Sequence, residues 1–172
     1  GPDPDQCMDI LLKNRAELLW GNHDVAACYG QRIHPASRYD PETYQKLLDM
    51  NFKMSTSIDD IIVTHAGIGT KFYEEFLENQ SVPDIVSIIN SMSLGELWND
   101  YSPLWYRPNK YDELYDGFVQ IVGHTPPRLE YPVNFISVDP WISNKFDSKE
   151  RYRYALVEDK DIIIADSDDQ NL

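Results

Sequence analysis

The alternation of hydrophobic and polar positions predicts helices interleaved with strands. Apolar residues at helical spacing predict four helices, over 5–14, 40–54, 71–79 and 83–92. Short apolar runs predict six strands, over 17–20, 58–64, 118–122, 135–138, 152–157 and 161–165. The last two strands are predicted to form a hairpin that turns at 158–160. The pattern therefore predicts one α/β domain over residues 1–172, with an antiparallel portion at its end.

One segment, residues 93–116, is crowded with aromatic side chains and has no regular period. Prolines and an asparagine interrupt it, so we predict an irregular segment with helical pieces. Its aromatic residues are Trp98, Tyr101, Trp105, Tyr106, Tyr111 and Tyr115. Such residues can stack on a nucleoside. Packing within the core or a lid is the interpretation we favour.

The net charge and the number of cysteines indicate which binding partners and which cellular compartment to expect. The net charge of −14 disfavours nucleic acid and anionic membrane surfaces as partners. It also means that a phosphate substrate would need local positive charge. No apolar run approaches the ~20 residues of a membrane span. The two cysteines, Cys7 and Cys28, are too few for a disulfide framework, so we expect a reduced, cytoplasmic protein.

Three apolar strands run into turns that contain histidine and glycine. The segments read "ELLWGNHD", "DIIVTHAGIG" and "VQIVGHTPP", and they carry His23, His65 and His124. The carboxyl ends of neighbouring strands are where α/β folds build their sites. Three of the chain's four histidines share this context, which predicts one common site. We interpret the fourth, His34, as an exposed loop residue.

The motifs G-N-H-D, T-H-A-G and G-H-T-P, in this order, resemble those of the calcineurin-like metallophosphoesterases. The resemblance covers roughly residues 1–166. It is greatest to the bacterial and phage branch of the phosphoprotein phosphatases, which includes symmetrical diadenosine tetraphosphate hydrolases. It implies a four-layer α/β/β/α sandwich.

The resemblance also implies a centre of two divalent metal ions. Asn22, His65 and His124 match the family's ligands of the second metal ion. Imidazole nitrogen together with an amide oxygen suits Mn, Fe, Zn or Ni. Such a centre would supply the hydroxide for in-line attack and the positive charge that an acidic protein needs to attract phosphate.

Three further residues match family positions that act on the substrate. His23 corresponds to the general acid that protonates the leaving alkoxide, and Asp24 to the carboxylate that orients it. Arg107, in "LWYRP", resembles an arginine that clamps phosphate through its planar fork. A surface ion pair is an equally good interpretation of Arg107.

Two positions depart from the family pattern. Trp20 stands where relatives carry an arginine. The second clamping arginine is then either missing or replaced by Arg32, Arg38 or Arg128. Trp20 itself would either stack on a base or sugar or simply pack. Asp139 lies where relatives have Asp-Thr-Gly, but Pro140-Trp141 follows it here, so we interpret Asp139 as structural.

The family's opening motifs, G-D-x-H-G and G-D-x-V-D-R-G, are not found in these 172 residues. In relatives they carry the ligands of the first metal ion and the first two core strands. The sandwich is therefore expected to be incomplete, and the metal ligands to lack an anionic member. We predict low metal occupancy, little activity in these residues alone, and an oligomer or rearranged sheet over the exposed strand edges.

Three functions remain open at this point. The first is a phosphatase acting on phosphoserine or phosphothreonine in proteins, or on a broad range of small phosphoesters. The second is a dinucleoside polyphosphate hydrolase, which keeps the chemistry and changes the substrate. The third is a catalytically inactive fragment of the fold.

Overall fold

A computed structural model describes residues 4–28, 41–108, 113–126, 131–139, 153–159 and 161–166. Within these ranges the helices are α1 (Pro4–Lys13), α2 (Asn22–Cys28), α3 (Pro41–Asp49), α4 (Thr70–Phe76) and α5 (Val82–Ser91). The strands are β1 (Leu18–Leu19), β2 (Phe52–Lys53), β3 (Ser55–Ile58), β4 (Ile61–Thr64), β5 (Val119–Val122), β6 (Phe135–Ser137), β7 (Arg153–Glu158) and β8 (Asp161–Asp166).

The described strands form three sheets. A four-stranded sheet has the order β3-β4-β5-β6, in which β3 is antiparallel to β4, and β4, β5 and β6 run parallel. β1 pairs with β2 in parallel, and β7 pairs with β8 as an antiparallel hairpin. The fold is thus mixed α/β with a terminal antiparallel hairpin, as the sequence predicts. The four-layer sandwich stays a prediction.

The parallel pair β4–β5 is the part of the fold that matters most for the site. The strands are in register from Ile61 opposite Val119 to Thr64 opposite Val122. Most of their side chains are buried, as near-continuous apolar strands in a parallel sheet require. The two carboxyl ends therefore lie side by side, and the residues that follow them emerge at the same edge.

The hydrophobic core lies beside this sheet and takes in residues from α2, α4 and α5. In α5, Ile85 and Ile89 are four positions apart on one face, and both are fully buried. The side-chain oxygen of Ser81 accepts a hydrogen bond from the Asp84 N–H and caps the start of this helix. The core cluster comprises Val25, Met54, Ile62, Ile68, Phe72, Leu77, Ile85, Ile89, Leu97 and Leu104.

Two predicted elements differ from the structure. The predicted strand 58–64 is a hairpin of β3 and β4, which turns at Asp59 with a φ of 52°. Aspartate adopts this left-handed conformation more readily than most residues. The predicted helix 40–54 is too long, because α3 ends at Asp49 and Phe52 instead pairs with Leu18 in the β1–β2 sheet.

No helix in the described ranges combines the length and the apolar character needed to cross a lipid bilayer.

Candidate metal centre

His65 and His124 lie next to each other because each follows one strand of the β4–β5 pair. The peptide oxygen of His65 accepts hydrogen bonds from the N–H of Gly123 at 3.0 Å and from the N–H of His124 at 3.1 Å. These bonds continue the contact between the strands past the end of the regular ladder. The backbones that carry the two imidazoles are therefore held together directly.

The turn after His65 requires glycine at one position. Gly67 has a φ of +98°, and a Cβ atom there would lie 2.7 Å from the Phe135 ring. Its N–H donates to the Thr64 Oγ1 atom at 3.0 Å. The conformation and the close approach both exclude a side chain at this position, so Gly67 fixes how the chain leaves His65.

Asn22 reaches the same edge through the small β1–β2 sheet. The N–H of Trp20 donates to the Lys53 oxygen at 2.9 Å, which extends the pairing of β1 with β2 to the residue before the turn. Trp20 stacks on Phe52 with ring centroids 4.4 Å apart and packs against the core, so its packing interpretation holds. Asn22 then begins α2 and is 3% exposed.

Three ligand-type atoms meet at one point. The Nε2 atom of His65 lies 2.9 Å from the Oδ1 atom of Asn22 and 3.0 Å from the Nδ1 atom of His124. The two imidazole centroids are 4.7 Å apart. The three residues that the sequence predicts as ligands of one metal ion are thus brought together from three separate strand ends.

The same three atoms can be joined by hydrogen bonds or by a bound cation. The Asn22 Oδ1 atom can only accept, and each neutral imidazole carries one proton. A proton on the His65 Nε2 atom can be donated to the Asn22 Oδ1 atom or shared with the His124 Nδ1 atom, and a cation could take its place between the same three atoms. The Nε2 atom of His124 is buried and has no hydrogen-bond partner, which is the proton position expected when Nδ1 is the ligand atom.

Both imidazoles are held in the neutral form that binds metals. Burial, with smaller contributions from the charges of His23 and Arg107, lowers the pKa of His65 to about 4. Burial, followed by the charges of His65, Arg107 and His23, lowers the pKa of His124 to about 3. A ligand histidine must be neutral, and at neutral pH neither ring carries the second proton of an imidazolium.

The spacing of the donors fits a transition-metal ion, but their charge does not favour tight binding. For metal–ligand bonds of about 2.1 Å at angles of 90–110°, neighbouring donor atoms are about 3.0–3.4 Å apart. The two separations from the His65 Nε2 atom, 2.9 and 3.0 Å, lie at the lower end of this range and also match hydrogen bonds. All three donors are neutral, and in the described part of the chain no group of three or more His, Cys, Asp and Glu side chains could hold a metal ion.

His23 and Asp24 lie in the first turn of α2, beside the candidate ligand Asn22. The charge of His23 acts on the pKa of both His65 and His124, so His23 lies beside the cluster. The carboxylate of Asp24 accepts from the Gly21 N–H at 3.1 Å, which closes the first turn as in a capping box. The predicted pairing of Asp24 with His23 stays a prediction.

Arg107 is exposed and stands next to the two histidines. Its Nη1 atom donates to the peptide oxygen of His124 at 3.5 Å. The N–H of Ala66 donates to the Pro103 oxygen at 2.7 Å, which ties the segment before Arg107 to the turn after His65. The guanidinium is thus near the cluster and accessible to a phosphate, although its predicted clamping role stays a prediction.

The aromatic segment is occupied mainly by packing contacts. Trp98 and Trp105 meet edge to face at 5.1 Å, and Tyr106 is fully buried. Tyr115 stacks on Tyr73 with centroids 3.6 Å apart. These contacts agree with the packing interpretation.

Gln120 is one residue of the site region that the sequence reasoning missed. It is a fully buried residue of β5, and its amide bonds to the backbone of the loop after His65. The available signal was a glutamine inside the otherwise apolar run "FVQIV".

Several predicted residues lie outside the described ranges or remain without a test. His34, Arg32, Arg38 and Arg128 fall outside the described residues. Asp139 follows β6, and its N–H donates to the Ser137 Oγ atom at 3.3 Å. The structural interpretation of Asp139 stays a prediction.

The sequence was compared with protein-family models, with curated proteins and with solved structures, and none of the three comparisons found a match. The resemblance to metallophosphoesterases therefore depends on the three motifs and on the geometry of the residues they contain.

Proposed function

We propose that this protein is a metal-dependent phosphoester hydrolase of the calcineurin-like kind. The observation that supports it most is that the His65 Nε2 atom lies 2.9 Å from the Asn22 Oδ1 atom and 3.0 Å from the His124 Nδ1 atom. Three strand-end motifs that are separate in the sequence supply one atom each. These separations are also those of hydrogen bonds, so the proposal is carried by the convergence of the three motifs rather than by the distances.

In this proposal, the neutral imidazoles and the Asn22 amide hold a divalent ion of the Mn, Fe, Zn or Ni type. When bound, such an ion polarises a phosphoryl oxygen and lowers the pKa of water. The buried position of Asn22 and the lowered pKa values of both histidines support a ligand role, because the ligand atoms are kept deprotonated and shielded. The cation also offsets the repulsion between a phosphate and an acidic protein.

Two residues beside the cluster act on the phosphoester itself. His23 donates a proton to the leaving oxygen, and Asp24 keeps the turn that presents His23 closed through its bond to the Gly21 N–H. Arg107 offers its exposed guanidinium to the non-bridging phosphate oxygens. The substrates we propose are phosphoserine or phosphothreonine proteins, or small phosphoesters, in the cytoplasm.

A second candidate is a non-catalytic protein that keeps the fold with a weak metal site. The neutral character of the three donors favours it, because an anionic ligand contributes much of the affinity for a divalent ion. A dinucleoside polyphosphate hydrolase also remains an alternative. It would share the chemistry and differ in substrate.

The decisive experiment is a titration of the metal-free protein with Co²⁺, followed by absorption spectroscopy. We expect one bound Co²⁺ ion per chain, with the absorption bands typical of nitrogen ligands. These bands should disappear in His65→Ala and His124→Ala. The exposed Lys13→Ala variant should keep the spectrum. A chain that binds no ion, or binds equally well after both histidine changes, contradicts the metal centre.

Activity is then measured with p-nitrophenyl phosphate, a phosphopeptide and diadenosine tetraphosphate. We expect weak turnover by the 172 residues and a large gain when a segment with the family's two opening motifs is supplied. Preference for the phosphopeptide supports a protein phosphatase, and preference for the dinucleotide supports the polyphosphate hydrolase. Bound metal with no turnover under either condition supports the non-catalytic candidate.

A further inference from the structure

Gln120 is a fully buried glutamine in the middle of β5, four residues before His124. Its Oε1 atom accepts from the Ile68 N–H at 2.8 Å, and its Nε2 atom donates to the Ile68 oxygen at 3.1 Å. The same Nε2 atom donates to the Tyr115 oxygen at 2.9 Å. Both donor hydrogens of the amide can therefore be used, and one acceptor is occupied.

These bonds hold the loop that follows His65. Ile68 is three residues after His65 and is completely buried, so water cannot readily satisfy its backbone groups. The Gln120 amide pairs with both of them, much as a neighbouring strand would. Residues 68–70 also pair with residues 113–115, through the bridge of Gly69 with Leu114 and the bond from the Tyr115 N–H to the Ile68 oxygen at 3.4 Å, and the glutamine adds the attachment to β5.

The His65 loop is thus attached to β5 at two points. At its start, the His65 oxygen accepts from the N–H groups of Gly123 and His124. At its end, Ile68 is held by Gln120. Because His124 follows the same strand, the two attachments hold the backbone that carries His65 against the strand that carries His124.

We propose that Gln120 is a positioning residue of the metal centre, one that sets the separation of the two imidazoles by fastening the His65 loop to β5. The proposal depends on the proposed function for its effect on metal binding. The geometric part, the placement of one ring against the other, can be measured without metal.

Asn134 provides a matched control at the opposite end of β5. Its amide Nδ2 atom donates to the oxygens of Asp116 at 2.5 Å and Phe118 at 3.2 Å, so it also fastens a loop through backbone oxygens. This loop enters β5, whereas the site lies where β5 ends. Asn134→Leu should lower stability without moving the histidines.

The test compares Gln120→Leu with Asn134→Leu in two measurements. The first is a Co²⁺ titration. The second is the NMR cross-peak between the two imidazole rings of the metal-free protein, which reports how close the rings lie. We expect Gln120→Leu to weaken Co²⁺ binding about tenfold or more and to weaken the ring-to-ring cross-peak. Asn134→Leu should change binding less than about twofold and keep the cross-peak. Equal binding by Gln120→Leu and the unchanged protein overturns the proposal.

Two other outcomes are informative. If the unchanged protein binds no Co²⁺, the proposed function fails, and the ring-to-ring cross-peak alone tests the positioning role of Gln120. Loss of the cross-peak in Gln120→Leu supports that role, and its persistence overturns it. If Gln120→Leu does not fold, the unchanged protein is examined for a scalar coupling between the Ile68 amide nitrogen and the Gln120 side-chain carbonyl carbon. Its presence supports the fastening, and its absence overturns it.

Discussion

The Nε2 atom of His65 lies 3.0 Å from the Nδ1 atom of His124, although the two residues are 59 positions apart in the chain. The contact follows from the parallel pairing of β4 with β5, which puts both strand ends at one edge. Two neutral imidazoles and one amide oxygen then face each other. Either a hydrogen bond donated by one imidazole or a bound cation would satisfy these atoms.

Adding an anionic ligand should strengthen metal binding. In Asn22→Asp, a carboxylate of nearly the same shape replaces the amide that lies 2.9 Å from His65. We expect the affinity for Co²⁺ to rise about tenfold, which corresponds to ~1.4 kcal/mol. The measurement is calorimetric titration of the metal-free protein.

The control for this change is Gln80→Glu, which adds the same charge at an exposed position. It should leave the affinity for Co²⁺ within about twofold. If both variants gain equally, the effect is a general one of net charge, and the placement of Asn22 among the ligands is contradicted.

The metal-free protein should lose stability in mild acid because of His65. Its pKa is lowered to about 4 in the folded state, whereas an unfolded histidine titrates near 6.5. Between these values the unfolded state binds more protons, so stability rises with pH and is lost as the pH falls from about 6.5 towards about 4. We expect His65 to account for about 2 kcal/mol between pH 7 and pH 5.

This expectation is checked by urea unfolding with a chelator present, at pH 7 and at pH 5. The quantity compared is the change in unfolding free energy between these pH values, for the unchanged protein and for His65→Asn. Titrating groups away from the cluster contribute equally to both proteins, whereas the pKa of His124, which the charge of His65 helps to lower, is less depressed in the variant. An identical pH dependence in the two would show that His65 is not a buried neutral histidine.

Much of the fold was predictable because its strands are short apolar runs bounded by turns. The hairpin of β7 and β8 and the strand β5 fall within one or two residues of their predicted positions. β3 was missed except for its last residue, which was assigned to the next strand, because Ser55–Ile58 is a largely polar edge strand and its turn is two aspartates without a glycine. The end of α3 was missed, because Phe52 keeps the helical spacing while its partner Leu18 is distant in sequence.

For the site, the sequence predicted which residues meet but not what holds them. Histidine and glycine after each apolar strand were enough to bring Asn22, His65 and His124 into one hypothesis. The role of Gln120 was not visible, because its partner Ile68 is 52 positions away and a polar residue in a strand has many possible partners. The catalytic roles of His23 and Asp24 and the clamping role of Arg107 stay predictions.

Gly67 should tolerate no side chain. An alanine there would adopt a φ of +98° and place its Cβ atom 2.7 Å from the Phe135 ring. We expect Gly67→Ala to lower the unfolding free energy by about 2 kcal/mol or more, from the left-handed backbone together with overpacking. The measurement is chemical unfolding of the metal-free protein.

Gly95→Ala is the matched control, because the nearest atom to a Cβ at Gly95 is the Ser93 side-chain oxygen at 3.9 Å and no positive φ is required. This variant should change stability by less than about 1 kcal/mol. A Gly67→Ala protein as stable as the Gly95→Ala protein would mean that the turn after His65 differs from the one described.

Arg107 should contribute to binding of the phosphate group. Its guanidinium is exposed and lies 3.5 Å from the His124 peptide oxygen, within reach of a ligand at the candidate metal centre. Hydrogen bonds to a charged group contribute about 1.5–3 kcal/mol, so Arg107→Ala should weaken binding of inorganic phosphate to the Co²⁺-loaded protein about tenfold or more. Arg107→Lys should restore part of the loss, because it keeps the charge without the planar fork. Lys13→Ala removes the same charge from α1 and should bind phosphate as the unchanged protein does. If both alanine variants lose the same amount of phosphate affinity, Arg107 acts only through the net charge.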